Sequence, residues 1–344
     1  MQEKFCFPVI SAADTLHFAV ERYIISWIIV EWGVAVSGVV LSRRMRGNLL
    51  LILTALIWGL AFVAQKEGGA EMGALTFNGV RSLLGGGMLL VLLPLLDKIG
   101  LSRRPQTVEE RKALWVGGVL CGLALFAATN LQQVGLNFNQ FGLQETTAGK
   151  GGFITAFYIV LVPVFGLFIG RRTNLFTWIG VVLAMVGLYF LCMQGESGIV
   201  PGDLLVLACA PVFSVQILLV DRFSPRTDCI RLACIQFFTV GILNLPLMFL
   251  MESPSVTTML NCWPSVLYAG LLSSGVAYTL QIVAQKDTHP TTASLLMSFE
   301  SVFAVLAGVV ILRDAMTEWE WIGCAVMFAA VILAQLPTPK RKGV

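Results

Sequence analysis

RRMRGNLLLILTALIWGLAFVAQK, residues 43–66, places three arginines just ahead of eighteen residues, 48–65, that carry no charge. A hydrocarbon core about 30 Å thick needs roughly 20 apolar helical residues per crossing. Lipid offers no hydrogen-bond partners, so a crossing is a helix or part of a closed barrel, and apolar runs of this length mean helices. Nine more stretches follow, at 75–96, 113–133, 147–169, 175–193, 204–220, 232–251, 263–284, 292–312 and 319–336. The expected fold class is an all-α polytopic membrane protein with ten transmembrane helices.

Composition agrees. Of 344 residues, 57% are hydrophobic and 12% charged, and the mean hydropathy is +0.82. A soluble domain carries about 25% charged residues and could not keep so much apolar surface dry. The net charge of +3 is spread over loops. No basic stripe carries interleaved aromatics, so nucleic acid is not an expected partner. The eight cysteines (Cys6, Cys121, Cys192, Cys209, Cys229, Cys234, Cys262, Cys324) form no CxxC and read as small packing residues. With only His17 and His289 present, a histidine-built metal site is out of reach, and neither a metal nor a cofactor is expected. Gly85-Gly86-Gly87 lies in an apolar run without the lysine a phosphate loop needs, so it reads as close helix packing.

Lysine and arginine gather in every second gap. Arg43, Arg44 and Arg46 precede the first span. Lys98, Arg103, Arg104, Arg111 and Lys112 follow the second, and Arg171 and Arg172 the fourth. Arg222, Arg226 and Arg231 follow the sixth, Lys286 the eighth, and Lys340, Arg341 and Lys342 the tenth. These are 17 basic residues, against Lys66, Lys150 and Arg313 in the intervening gaps. The positive-inside rule then puts both ends of the ten-helix body in the cytoplasm, across the cell (inner or plasma) membrane.

Residues 1–44 form an amino-terminal extension. Its apolar stretch 24–41 contains Glu31. It reads as an eleventh crossing, as a signal-like segment lacking a small-residue cleavage site, or as translation from a start upstream of Met45. A charged odd helix favours the last of these, with the extension dispensable.

The body repeats itself. Thr146-Thr147-Ala148 matches Thr291-Thr292-Ala293, and Trp178-Ile179-Gly180 matches Trp321-Ile322-Gly323. Leu131-Gln132 matches Leu280-Gln281, and Gly47-Asn48-Leu49-Leu50 matches Gly202-Asp203-Leu204-Leu205. The order and spacing agree, dividing the chain into 45–195 and 200–337 with a basic tail at 338–344. A unit of five helices is odd, so the second copy must enter from the opposite face. Two inverted five-helix repeats around an axis in the membrane plane result, the plan many secondary transporters use to alternate access.

At these residues the chain resembles the EamA-like branch of the drug/metabolite transporter superfamily. The likeness rests on Ala55-Leu56-Ile57-Trp58-Gly59, on Arg81 in Phe77-Asn78-Gly79-Val80-Arg81, and on Thr147–Thr155 running into Leu161-Val162-Pro163. In the second half it rests on Ser298-Phe299-Glu300-Ser301-Val302-Phe303-Ala304. Ser301 stands where the family has proline, so the likeness carries no kink to that position. Asp314 stands where a glutamate is usual, and an extra stretch around 137–143 lengthens the loop before the fourth helix. The likeness covers residues 45–336. It implies a central cavity and transport, often export, of small metabolites such as amino acids or drugs.

Eight residues are candidates for contact with such a substrate. Arg81 lies about 9 Å below the start of the second helix, where a guanidinium costs at least about 2.5–3.5 kcal/mol without water or a partner. It could clamp a carboxylate bidentately, or it could form a structural pair or snorkel. Glu300 lies about 12 Å into the ninth helix. It could take up and release a proton during transport, or serve as a packing residue facing Arg81 or the glutamines. Lys150, near the outer face, is expected to snorkel. Gln132 and Gln281, with Asn130, Thr279 and Tyr278 alongside, suit a cavity wall or interhelical hydrogen bonds equally. Trp58 could stack on a substrate or anchor packing.

The expected function is a secondary transporter, the expected partners being a small-molecule substrate and the lipid bilayer, with a homodimer left open. A structural or receptor-like bundle gives no reason for an odd inverted duplication. An intramembrane enzyme would need clustered His, Cys or paired carboxylates. No ATP-binding signature appears.

Overall fold

The computed structural model describes residues 42–192, 199–307 and 317–336. The stretch 24–41, Asp314, the end of the ninth expected span and the tail 338–344 lie outside the described residues. Among the described residues there is no strand.

Helices α1 (Arg43–Met72), α2 (Ala74–Lys98) and α3 (Val108–Leu136) open the chain, followed by α4 (Ala148–Thr155), α5 (Tyr158–Phe168) and α6 (Leu175–Cys192). The second half runs α7 (Pro201–Phe223), α8 (Cys229–Met251), the short α9 (Val256–Asn261) and α10 (Trp263–Leu267), a π-helical segment Tyr268–Ala277, and α11 (Tyr278–Gln285). The last helices are α12 (Pro290–Met297), α13 (Phe299–Ala307) and α14 (Glu318–Gln335). Among the described residues, seven helical stretches are long and apolar enough to cross a membrane, and Leu175–Leu191 and Pro290–Leu306 are shorter apolar helices. The lengthened loop expected at 137–143 holds a 3₁₀ turn, Phe138–Phe141.

Local chemistry explains the boundaries. Only Gly73 separates α1 from α2, with φ of 93°, a conformation glycine adopts without steric cost. Beside it the Glu252 carboxylate accepts from the backbone N–H groups of Leu75 (2.9 Å) and Thr76 (2.7 Å), satisfying donors that the first turn of α2 leaves open. The fourth expected crossing is two helices, interrupted after Thr155. The ninth is likewise two, interrupted at Ser298, whose hydroxyl donates to the Leu295 carbonyl at 2.8 Å. The ninth crossing is thus interrupted without a proline at that position.

Contacts between the halves come in reciprocal pairs. Gly86 of α2 packs on Phe238 of α8, and Gly241 of α8 packs on Leu83 of α2. The shift of 155 positions that sets Gly47-Asn48 on Gly202-Asp203 carries the first contact onto the second. Gly187 of α6 abuts the carbonyl of Gly323, and Gly180 abuts that of Ala330, both on α14. The shift of 143 that sets Trp178 on Trp321 exchanges these two. In each pair the helices run antiparallel. Contacts in which i meets j and the equivalents of j and i also meet are the mark of a two-fold axis.

Candidate functional site

Inside the body a small cavity collects residues from both halves. Trp58 and Phe62 come from α1, Arg81 from α2 and Gln132 from α3. Thr155 and Tyr158 come from the two sides of the first break, and Phe213 and Gln216 from α7. Ser273 comes from the π segment, Tyr278 and Gln281 from α11, and Met297 and Glu300 from the two sides of the second break. The interruptions in the two halves thus meet at one place. Backbone that departs from a regular helix at membrane depth is tolerated where it lines a cavity.

Arg81 is 4% exposed. Its guanidinium sits 5.7 Å above the Phe77 ring, and among the described residues it makes no hydrogen bond or ion pair. Burying a cation in this way is costly unless water or a ligand completes it. Glu300, 5% exposed, accepts a hydrogen bond from the Tyr158 hydroxyl at 3.3 Å. The cavity therefore offers a cation on one wall and an acid on another.

The aromatic wall is held by the π segment. Trp58 and Tyr278 lie 4.5 Å apart between ring centroids. Trp58 Nε1 donates to the Ser273 carbonyl at 3.4 Å, Thr54 Oγ1 to that of Ala277 at 3.3 Å, and Tyr268 to that of Ile57 at 2.9 Å. Side chains of α1 thus reach two carbonyls in a segment where the α-helical pattern is disrupted, a feature that recurs at functional sites.

The amides form oriented bonds. Gln132 Nε2 donates to Thr155 Oγ1 at 3.0 Å. Gln281 Nε2 donates to Gln216 Oε1, and Gln216 Nε2 to Gln236 Oε1, both at 3.3 Å. Gln281 Oε1 is buried with no donor among the described residues.

Of the eight candidate residues, Trp58, Arg81, Gln132, Tyr278, Gln281 and Glu300 line the cavity. Asn130 does not; its Oδ1 accepts from Asn78 Nδ2 at 2.8 Å. The snorkelling expected of Lys150 is corrected. Its side chain is 6% exposed and its Nζ lies 2.6 Å from Asp203 Oδ2, itself on a side chain 5% exposed. A carboxylate from the start of α7 meets the amine before it can reach the surface.

Thr155, Tyr158, Gln216 and Ser273 also face the cavity and were missed. The Thr-Thr-Ala correspondence, a shift of 145 positions, sets Thr155 on Glu300, a signal available in the sequence. Gln216 is an amide within an apolar run, a weaker hint. Tyr158 has no sequence signal, because its role depends on Glu300 approaching from the other half. Among the described residues no group of His, Cys, Asp and Glu could hold a metal ion.

Comparison with known proteins bears on what such a cavity does. A sequence model of the EamA-like transporter family matches residues 45–193 and again 200–336. An uncharacterized transporter of Archaeoglobus fulgidus is 32% identical over 86% of this chain and 87% of its own. The uncharacterized transporter YoaV of Bacillus subtilis is 22% identical over 85% and 97%. The uncharacterized inner membrane transporter YedA of Escherichia coli K12 is 24% identical over 82% and 88%. A protein of known crystal structure, 21% identical, superposes with a TM-score of 0.68 over 84% of this chain and 96% of its own; it shares the fold.

Proposed function

We propose that this chain, which belongs to the EamA-like transporter family, is a secondary transporter exporting small solutes that carry an anionic group, amino acids and related metabolites or drugs among them. It is a multi-pass membrane protein. The proposal takes its ten crossings as two inverted five-helix repeats with both ends of the body in the cytoplasm, and the reciprocal contacts support that arrangement. The observation that carries it is the cavity at the two helix breaks, where Arg81 has no counter-charge among the described residues and faces the same space as Glu300.

In this scheme the Arg81 guanidinium takes the substrate anion through paired N–H groups. Trp58 and Tyr278 cover an apolar part, and the amides of Gln132 and Gln281 set orientation. Glu300 exchanges a proton with the aqueous side to which the cavity is open, and the repeats rock about their shared axis to change that side. Proteoliposome counterflow against a panel of amino acids and metabolites, with and without a pH gradient, tests this. Accumulation of one class that a pH gradient stimulates is the expected result. Counterflow of none, in vesicles shown to hold the folded protein, refutes it.

A further inference from the structure

The buried pair Lys150–Asp203 joins the two repeats, Lys150 at the start of α4 in the first and Asp203 at the start of α7 in the second. We propose that it is a charged clasp that closes the cavity at one face of the membrane and must part for the cavity to open there. The proposal rests on the transporter reading of the cavity, and by the distribution of basic loops the face is the outer one.

Three observations point to a clasp rather than a fold staple. First, Lys150 is the third residue of α4, where the positive end of the helix dipole disfavours a cation; the charge does not serve its own helix. Second, the backbone beside the pair crosses the same boundary. Gly202 N–H donates to the Gln144 carbonyl of the first repeat at 3.0 Å, next to the Thr146 N–H bond to Gly135 within that repeat. Asp203 Oδ2 also accepts from Val200 N–H at 2.9 Å, so the carboxylate sits in a seam between α7 and the loop ahead of α4. Third, the pair is not duplicated. The repeat correspondences put Asn48 where Asp203 stands and Leu295 where Lys150 stands, and the other ion pairs that join the halves, Arg171–Asp221 and Asp97–Arg231, are more exposed. Separating two charges hidden from water is tolerable when water enters at that moment. Such a pair makes closure at its own face an all-or-none event.

The test uses the full-length chain in right-side-out vesicles, with Ser273→Cys as a reporter in the cavity wall and a membrane-impermeant maleimide added outside. Mass spectrometry reads the label at position 273. Lys150→Met is expected to raise the labelling rate at least tenfold, and Lys150→Arg to leave it within about threefold of the parent. Lys150→Met combined with Asp203→Asn, the residue the other repeat carries, is expected to label no faster than the faster single variant, since all three remove the same clasp. Should Lys150→Met fail to accumulate, Asp203→Asn alone probes the same clasp and is expected to raise labelling as well. Unchanged labelling in the single variants, or a double variant equal to the product of the single effects, overturns the clasp. Counterflow in the same vesicles separates the two ideas: labelling as expected with no solute moved would remove the transport function and leave the clasp standing.

Discussion

Substituting alanine for Gly59 adds one carbon to a joint with no space for it. Gly59 follows Trp58 on α1, and a Cβ there would lie 2.6 Å from the Glu300 carbonyl oxygen, 2.8 Å from Phe303 Cβ and 2.9 Å from the Ala304 nitrogen. Ordinary contact begins near 3.4 Å, so α1 and α13 must separate by about 0.8 Å, the difference of these two distances. Two of the three obstacles are backbone atoms that no rotamer change can move, and close-packed interiors transmit such strain. Overpacking of this kind costs about 1–3 kcal/mol. The displacement falls between Trp58 and Glu300, two walls of the cavity, and misplacing reacting groups by about 1 Å can cost about a hundredfold in rate. We therefore expect Gly59→Ala to lower the unfolding temperature in detergent and to reduce counterflow at least about tenfold. Gly87 is the control, since a Cβ there meets nothing within 4 Å; Gly87→Ala should leave both measurements unchanged or slightly improved. A Gly59→Ala protein that unfolds and transports like the parent would refute the contact between α1 and α13 as the element that positions the cavity.

Arg81→Ala should remove two charge-assisted hydrogen bonds to the substrate, each worth about 1.5–3 kcal/mol, and so weaken half-saturation about a hundredfold or more while the protein still inserts. Arg81→Lys keeps the charge without the planar fork and should restore only part of the loss. Glu300→Gln should sustain counterflow yet no longer respond to a pH gradient; an unchanged response would exclude coupling through this carboxyl. His289, between α11 and α12, accepts from Thr291 N–H at 3.4 Å. Burial pushes its imidazole below the ordinary value of 6.5, with Arg171 assisting and Asp221 opposing. The folded protein thus favours the neutral ring, and its contribution to stability is complete above about pH 6.5 and declines as pH falls through the lowered folded value. Thermal unfolding from pH 8 to 5 should show this decline, and His289→Asn should flatten it.

Much of this protein is legible residue by residue. Apolar runs separated by basic gaps, such as 48–65 behind its three arginines, announce membrane helices because hydrophobic length and charge exclusion are properties of each segment alone. The paired motifs announce the duplication for the same reason, and Arg81 and Glu300 stand out because charge within an apolar run is expensive wherever the run ends up. What escapes a linear reading is partnership. Nothing along the chain says that Asp203 will reach Lys150, that Tyr158 will meet Glu300 across 142 positions, or that Asn130 will turn to Asn78.

The helix breaks show the same division. Ser301 in place of proline carries no kink, yet the crossing is interrupted at Ser298, where a hydroxyl and a cavity meet. Membrane helices, their doubling and the costly charges are thus determined by sequence alone, since transfer into lipid is priced per segment. Which charges end up paired, which stay unpaired in the cavity and where the helices yield is decided by tertiary structure, since in a low-dielectric interior each polar group depends on the few neighbours that packing brings within 3 Å or so.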